Sequence, residues 1–378
     1  MTTAPPPVFL PTLPGRYYTD QDVFDAEQRS IFSRQWVYAC RAQDVPAPGR
    51  FVRVTVGAEN VLVVRGHDGV LRAFLNVCRH RGATLCAAES GEVGRSIRCP
   101  YHAWSYRLDG SLRSAPNWST MAAADKADLG LNPVHLAEFH GLVWVSLADR
   151  PPPLADHLWA QLDYRLGADR AKFERYRLAD LVAGHRTDYT VAANWKIIQE
   201  NFQECYHCAT IHPELVDTIP QFRDISRLPG YVADGYAFAD GKASFSVTGQ
   251  ALLPPLPGLT EADERRYYGM VLRPNCFLSL LPDHVIVHRF QPVAPDLTTV
   301  TCEWLFPPET VAGYDVADTV ELFHLVNEQD FAATEACQPN MKSRSYARGG
   351  ILVPLEQEII GRWYYDWYRA AMDLGEHL

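Results

Sequence analysis

The chain has 378 residues, with 47% hydrophobic residues, 21% charged residues and a net charge of −10 at pH 7. This composition is that of a globular protein long enough for two domains, and the net negative charge argues against a nucleic-acid partner. No apolar run is long enough to span a bilayer, and the start, Met-Thr-Thr-Ala-Pro-Pro-Pro, lacks the basic and apolar regions of a secretory signal. The nine cysteines are an odd number without regular spacing, so we expect a reducing compartment, a cytoplasmic protein and no membrane partner.

The first part of the chain predicts one helix and then a series of short strands. The helix follows Thr19. Strand patterns then occur at 51–56, 61–65, 71–77 and 141–147. Asp68-Gly69 predicts a hairpin turn, and Pro151-Pro-Pro153 predicts a domain boundary. These segments together predict a small all-β module.

A cysteine and a histidine occur close together twice within this module. Cys78 and His80 follow the strand at 71–77, and Cys99 and His102 follow a long loop. Two thiolates and two imidazoles on tight turns are typical of a Rieske [2Fe–2S] cluster, in which cysteines hold one iron and histidines hold the other. A structural zinc site with the same four ligands is the alternative, but zinc sites usually pair their cysteines as Cys-x₂₋₄-Cys. The spacing therefore favours the cluster.

The second half of the chain mixes long helices with strands. Helical patterns cover 194–207, 318–338 and 355–374. Strand patterns cover 271–281, 285–292 and 299–306. Runs of strands with separate long helices predict the α+β class.

Polar side chains gather toward the end of the helix predicted at 194–207. Glu200, Glu204 and His207 are four and three residues apart, so on a continuous helix they share one face. His212 precedes Pro213, which disfavours the helical conformation at His212 and lets the chain turn this side chain back toward His207. Two histidines and a carboxylate form the facial triad of non-haem iron(II) oxygenases. Taken alone, the Glu-x-x-His spacing is also common on exposed helices.

The carboxylate of this triad is predicted on the helix at 318–338. Asp330 lies in an otherwise apolar stripe that contains Phe323 and Val326. An unpaired carboxylate on a buried face is costly, and a metal ion compensates for it. A surface or capping position for Asp330 is the alternative. A cluster needs an electron acceptor, which favours a mononuclear iron at His207, His212 and Asp330.

With these two sets of residues, the chain resembles the α subunits of Rieske non-haem iron oxygenases over nearly its whole length. The matching residues are Cys78, His80, Cys99 and His102 for the cluster, the segment from Asn194-Trp-Lys to His212-Pro for the iron-site motif, and Asp330 for the third iron ligand. The resemblance implies a helix-grip catalytic domain, in which long helices pack on an antiparallel sheet.

The resemblance also implies an arrangement of domains and subunits. We expect an N-terminal arm over 1–40 that packs on the catalytic domain, a Rieske domain over 41–150 and a catalytic domain over 151–378. Family members commonly form homotrimers in which the cluster of one subunit supplies electrons to the iron of its neighbour. Glu204 is then the bridge between His207 and His102 of the partner subunit.

Glu204 also bears on the substrate. Ring-hydroxylating family members usually have Asp at this position, whereas Glu resembles the group that acts on quaternary ammonium compounds such as glycine betaine, stachydrine and carnitine. The resemblance implies hydroxylation of an N-methyl carbon and then release of formaldehyde. Aromatic rings bind methylated ammonium groups by cation–π contact. The candidate pocket residues are Asn201, Phe202, Tyr206, Phe238, Phe245 and Phe277, with ordinary core packing as the alternative for each.

The chain requires an outside source of electrons, because it has neither a nucleotide-binding fingerprint nor a plant-type ferredoxin cysteine run. We expect a separate flavin or iron–sulfur reductase that delivers electrons from NAD(P)H, with O₂ as the co-substrate. Two alternatives stay open. One is ring hydroxylation or O-demethylation of an aromatic acid, and the other is a Rieske electron carrier fused to a ligand-binding domain.

Overall fold

The computed structural model describes residues 10–120, 125–228 and 234–374. The chain divides into two compact units, Gln28–Asp156 and the combination of Met1–Glu27 with His157–Leu378. Within the described part of the chain, none of the helices has the length and apolar character needed to cross a membrane. The segment on which the prediction of no secretory signal rests, before residue 10, lies outside the described residues.

The described residues form both β-strands and α-helices. The strands are β1 (Leu10–Pro11), β2 (Val37–Arg41), β3 (Arg50–Val56), β4 (Glu59–Arg65), β5 (Leu71–Leu75), β6 (Ser90–Glu92), β7 (Ile97–Arg98), β8 (Ser105–Tyr106), β9 (Leu112–Ser114), β10 (Pro133–Phe139), β11 (Leu142–Ser146), β12 (Val182–Val191), β13 (Tyr236–Ala237), β14 (Arg266–Leu272), β15 (Cys276–Leu280), β16 (Val285–Ala294), β17 (Leu297–Phe306) and β18 (Ile351–Leu352). The α-helices are α1 (Gln21–Glu27), α2 (Leu154–Leu166), α3 (Arg170–Glu174), α4 (Trp195–Asn201), α5 (Cys208–Ile211), α6 (Pro213–Thr218), α7 (Pro308–Gly313), α8 (Ala317–Cys337) and α9 (Glu356–Ala371). Short 3₁₀ helices lie between several of them, and a π-helical turn, Gln28–Phe32, follows α1.

The unit Gln28–Asp156 is built from antiparallel strands. Seven strands form one sheet in the order β2-β11-β10-β5-β4-β3-β6, and β7, β8 and β9 form a second sheet. The predicted hairpin between β4 and β5 is present, and the Asp68 carboxylate accepts a hydrogen bond from the Val70 backbone N–H at 3.1 Å. Gly69 has φ +80°, a left-handed conformation that favours glycine. The prediction of a small all-β module is confirmed.

The other unit combines a sheet with long helices. Six antiparallel strands lie in the order β12-β17-β16-β15-β14-β13. Helix α8 contributes Phe323 and Val326 to a buried cluster with Trp304 and Phe306 of β17, so its apolar stripe packs on the sheet. The predicted α+β class, with an antiparallel sheet and long helices, is confirmed.

Two predicted boundaries differ from the structure. One is a strand boundary in this sheet, and the other is the end of the N-terminal arm. The strand predicted at 271–281 is two strands, β14 and β15, because Pro274 lies between them and has no backbone N–H to continue a ladder. The arm was predicted to extend to residue 40, but β2 (Val37–Arg41) pairs with β11 inside the first sheet. The segment grouped with the catalytic unit ends at Glu27.

A fully buried ion pair holds this N-terminal segment to its unit. Glu27 at the end of α1 accepts hydrogen bonds from Lys196 Nζ at 2.6 Å, from Trp195 Nε1 at 2.8 Å and from the Tyr368 hydroxyl at 2.6 Å. Glu27 and Lys196 have no solvent exposure. Burial lowers the pKa of Lys196, and the charge of Glu27 opposes that change. One carboxylate therefore connects α1, α4 and α9.

We predict that Glu27→Ala lowers the free energy of unfolding by about 3–5 kcal/mol, because it leaves the Lys196 ammonium buried without its counter-charge. Denaturant unfolding measures the change. The control is Glu261→Ala, whose side chain is 85% exposed and paired with Arg265 on the surface, and which is expected to cost less than about 1 kcal/mol. Equal costs for the two variants would contradict the importance of the buried pair.

Candidate functional site

The first predicted cluster turn follows β5. Cys78 is buried, and its backbone N–H donates to the Ala83 carbonyl at 2.8 Å while its carbonyl accepts from Gly82 N–H at 3.0 Å. Gly82 has φ +72°, so the tight return of the chain relies on glycine at this position. His80 lies at the exposed tip of this turn.

The second predicted cluster turn has the same construction. Cys99 N–H donates to the Trp104 carbonyl at 2.7 Å, and Ala103 N–H donates to the Cys99 carbonyl at 3.1 Å. Ala103 adopts a left-handed conformation with φ +59°. Cys99 is buried, as is Cys78.

The two turns bring their histidines together. The rings of His80 and His102 have centroids 4.7 Å apart, and His80 stacks on Trp104 with centroids 5.1 Å apart. The hydroxyl of Tyr106 lies 3.3 Å from Cys78 Sγ and accepts the Arg79 backbone N–H at 3.0 Å. Burial raises the pKa of Tyr106, and its hydrogen bond with Cys78 raises it further, so this hydroxyl stays protonated near pH 7.

These residues fit an iron–sulfur cluster in the chemistry of their donors. Among the described residues, buried His102 Nδ1 has no hydrogen-bond partner, which is costly for a polar atom unless another group binds it. A metal ion satisfies such an atom. A Cys₂His₂ cluster uses two thiolates and two imidazoles as ligands, and this site has two buried thiols and two neighbouring imidazoles. The Tyr106 hydroxyl adds a hydrogen-bonding group next to one sulfur.

The second site lies where α4, α5 and α8 approach each other. His212 Nε2 is 2.8 Å from Asp330 Oδ1, and His207 Nε2 is 3.3 Å from the same oxygen. The rings of the two histidines have centroids 5.2 Å apart. His212 and Asp330 are buried, with exposed fractions of 1% and 5%. The structure thus brings together the three residues that the sequence predicted as iron ligands.

Further hydrogen bonds orient each of these three side chains. His207 Nδ1 is 2.5 Å from Glu204 Oε1, and His212 Nδ1 is 2.7 Å from Gln329 Oε1. Because carboxylate and amide oxygens accept, both histidines donate from Nδ1 and direct Nε2 toward Asp330. Asn201 Nδ2 donates to Asp330 Oδ1 at 2.6 Å. This orientation of Nε2 is suited to metal ligation.

The electrostatics of the site are dominated by Asp330. Burial favours the neutral acid, but hydrogen bonds from His207 and His212 outweigh burial and lower the pKa of Asp330 to about 2. Burial likewise favours neutral His207, but its hydrogen bonds with Asp330 and Glu204 raise its pKa to about 10. A buried anionic oxygen beside two Nε2 atoms can bind a divalent transition metal such as iron.

The backbone around this site differs from the predicted helix at 194–207. Asn194 caps the start of helix α4 by accepting the Lys196 N–H at 3.0 Å, and the helix ends at Asn201. Glu204 accepts the backbone N–H of Tyr206, which satisfies a donor outside a helix. Glu200 instead accepts the Tyr18 hydroxyl at 2.9 Å, so Glu200 does not share a helix face with Glu204.

The predicted turn at His212 is confirmed. Helix α5 ends at Ile211, His212 has φ −124° and ψ 62°, and α6 begins with Pro213 at its first position. Cysteine chemistry in this segment was not predicted. Cys205 and Cys208 form a disulfide, which closes the turn that carries His207, whereas the odd cysteine count had led us to expect thiols.

A small cavity of about 80 Å³ opens onto the triad. Of the predicted pocket residues, Asn201, Phe202, Phe245 and Phe277 line it. Tyr206 is 52% exposed and lies outside the lining, as does Phe238, which contacts the ring of Phe245. Sequence reasoning missed the lining residues Arg165, Leu215, Phe222, Tyr236, Tyr267, Phe323 and Val326.

Comparison with protein families gives two matches along the chain. Residues 35–127 match the Rieske [2Fe-2S] domain, and residues 178–374 match the ring hydroxylating alpha subunit (catalytic domain). The two matches follow each other in the predicted order, and the second covers more than half of the chain.

Similar proteins match over most of their length. The oxygenase subunit of glycine betaine monooxygenase from Pseudomonas aeruginosa PAO1 is 32% identical over 97% of this chain and 90% of its own. The oxygenase subunit of carnitine monooxygenase from Escherichia coli K12 is 30% identical over 90% of this chain and 86% of its own. A solved quaternary ammonium Rieske monooxygenase has a TM-score of 0.74 at 25% identity, with 96% of both chains covered.

We predict that Asp330→Ala removes the mononuclear iron and leaves the cluster in place, because the iron would then have only two neutral histidine ligands and no anionic ligand. Iron analysis should fall from about three to about two atoms per chain, with the visible absorption of the cluster unchanged. The matched control is Glu328→Ala, an exposed carboxylate on the same helix, which should keep all of the iron. Retention of the third iron in Asp330→Ala would refute the ligand assignment.

Proposed function

The chain belongs to the Rieske-type ring-hydroxylating oxygenase α subunits, and from this membership we propose that it is the oxygenase component of a monooxygenase that N-demethylates quaternary ammonium compounds. The similarity to oxygenase subunits of glycine betaine and carnitine monooxygenases supports the substrate class. The observation that carries the proposal is the aromatic cavity that reaches His207, His212 and Asp330.

The walls of this cavity suit a methylated cation. The Phe202 ring is 5.3 Å from the ring of Phe277, and the Phe245 ring is 4.8 Å from that of Tyr267 and 5.7 Å from that of Phe323. Aromatic faces attract quaternary ammonium groups, which have no N–H to donate to polar partners. This lining supports a substrate that presents N-methyl groups.

A buried histidine behind this wall, His288, adds no charge that would repel the ammonium group of a substrate. His288 stacks against Phe290 and contacts the ring of Phe202. Burial lowers the pKa of His288 to about 4, with a partly opposing hydrogen bond to Asn327. His288 is therefore neutral near pH 7 and adds no positive charge that would repel an ammonium group.

The proposed reaction balances with two electrons from outside. An N-methyl group, O₂, two electrons and two protons give an N-hydroxymethyl group and water. The N-hydroxymethyl ammonium then loses formaldehyde and a proton, and the carbon–nitrogen electron pair returns to nitrogen as the demethylated amine. The cluster and the mononuclear iron, when bound, supply electron transfer and O₂ activation.

The protein side chains hold these groups in specific roles. We assign the cluster to Cys78, His80, Cys99 and His102, a set supported by the buried, unpartnered Nδ1 of His102. We assign the mononuclear iron to His207, His212 and Asp330, supported by the convergence of two Nε2 atoms and one carboxylate oxygen. Glu204 and Gln329 accept the Nδ1 protons, which keeps both Nε2 atoms available.

Electron delivery requires other chains. We propose a separate flavin or iron–sulfur reductase using NAD(P)H, and a homotrimer in which Glu204 connects His207 to His102 of the partner subunit. The Glu204 carboxylate supports this role because it is bonded to His207 Nδ1 and keeps 20% of its side chain exposed. A carboxylate between two imidazoles accepts a hydrogen bond from each.

We predict that substrates with N-methyl ammonium groups are turned over by the holoenzyme with a surrogate reductase. Glycine betaine or carnitine should give one formaldehyde for each O₂ consumed, and benzoate or a methoxybenzoate should give neither product nor coupled O₂ uptake. Asp330→Ala provides the blank. Turnover of the aromatic acids with inert ammonium compounds would contradict the proposal.

We predict that Glu204→Gln retains all of the iron but slows electron transfer from the cluster by about 10²-fold or more, because the neutral amide loses one of the two charge-assisted hydrogen bonds and shifts the donor geometry. Single-turnover oxidation of the reduced cluster in the presence of substrate measures this rate. Glu200→Gln is the control, since Glu200 is bonded to Tyr18 and does not line the cavity. A wild-type rate in Glu204→Gln would show that the bridge lies elsewhere.

A further inference from the structure

The charged residues that line the cavity differ in whether they have hydrogen-bonding or ion-pair partners. Asp330 is bonded to Asn201, His207 and His212, and Glu204 is bonded to His207 and the Tyr206 N–H. Arg165, from the last turn of α2, also lines the cavity, but within the described residues it has no carboxylate partner. Its guanidinium lies 5.8 Å from the ring centroid of Tyr164. Among the described residues, Arg165 is therefore the charged lining side chain without a carboxylate partner.

The charge of Arg165 acts on the interior of the cavity. Tyr267 lines the same space, and burial raises the pKa of its hydroxyl. The positive charge of Arg165 is among the groups that oppose this rise. Arg165 is only partly exposed, so bulk water screens its charge less than that of a surface arginine.

A purely structural role accounts for only part of these observations. A cation in the last turn of a helix stabilises the helix through the macrodipole. That role needs no position in the wall of a cavity and is fulfilled equally well by a side chain directed to solvent. Because Arg165 lines the same cavity as Phe202, Phe245 and Phe277, the lining combines aromatic rings with a cation.

We propose that Arg165 binds the carboxylate of a zwitterionic substrate while its quaternary ammonium group contacts the aromatic wall. Guanidinium and carboxylate are complementary in shape and form two parallel charge-assisted hydrogen bonds. The ligand class is a small molecule with both a methylated ammonium and a carboxylate, in preference to a simple cation. This inference rests on the proposed function and adds to it a specificity-determining residue.

Binding to the oxidised holoenzyme, without reductase, tests the role of Arg165. Calorimetric titrations compare glycine betaine and carnitine with choline, which has the same trimethylammonium group but a hydroxymethyl group in place of the carboxylate. Arg165→Gln should weaken binding of the two carboxylates by about 10- to 100-fold, since it removes a charged hydrogen-bonding partner, and should leave choline within about twofold. Arg165→Lys should lie between wild type and Arg165→Gln, because it keeps the charge without the planar fork.

A matched arginine outside the cavity, Arg170, controls for the loss of one positive charge. Arg170→Gln removes the same charge from a guanidinium that pairs with Asp163 at 2.8 Å and does not line the cavity, and it should change no affinity. Unchanged affinity in Arg165→Gln, or an equal loss for choline and the carboxylates, overturns the role of Arg165 and leaves the proposed function standing. Failure of the wild-type protein to bind any of the three compounds overturns the proposed function together with the inference that rests on it.

Discussion

One buried carboxylate oxygen constrains the arrangement of the catalytic unit. Asp330 Oδ1 accepts hydrogen bonds from Asn201, His207 and His212, which lie on separate segments of the chain. A carboxylate taken out of water is costly unless charge or hydrogen bonds compensate for it. These three donors supply that compensation, and a metal ion held by His207, His212 and Asp330 would take the place of the two histidine hydrogen bonds. The segments that carry Asn201, His207 and His212 must therefore end or turn within reach of Asp330 Oδ1 on α8.

The local chain conformation follows from this requirement. Helix α4 stops at Asn201, so Asn201 faces Asp330 at the helix end and the next residues are released to form the turn that carries His207. Pro213 breaks the helical path a second time and returns His212 to the same oxygen. Aromatic residues, among them Phe245 and Phe277, then line the cavity beside these ligands.

The sequence predicted those features that depend on neighbouring residues. The Cys-x-His and Cys-x-x-His pairs, the Asp68-Gly69 turn and the break before Pro213 are local patterns, and the structure has the turns they imply. The position of Asp330 followed from helical periodicity. What the sequence left open depends on distant contacts. Arg165 and Tyr267 line the cavity only because α2 and β14, which are far apart in sequence, meet there. Glu204 lies beyond the end of α4 and accepts the Tyr206 N–H, a contact that helical periodicity does not predict.

Anomalous diffraction at the iron absorption edge, from crystals of the purified holoprotein, would locate both metal sites. We expect two kinds of iron in each chain. A two-iron feature should lie among Cys78, His80, Cys99 and His102, and a single iron should be bound by Nε2 of His207, Nε2 of His212 and a carboxylate oxygen of Asp330. A metal bound by Cys208 in place of Asp330, or a two-iron feature with no separate iron, would contradict this expectation.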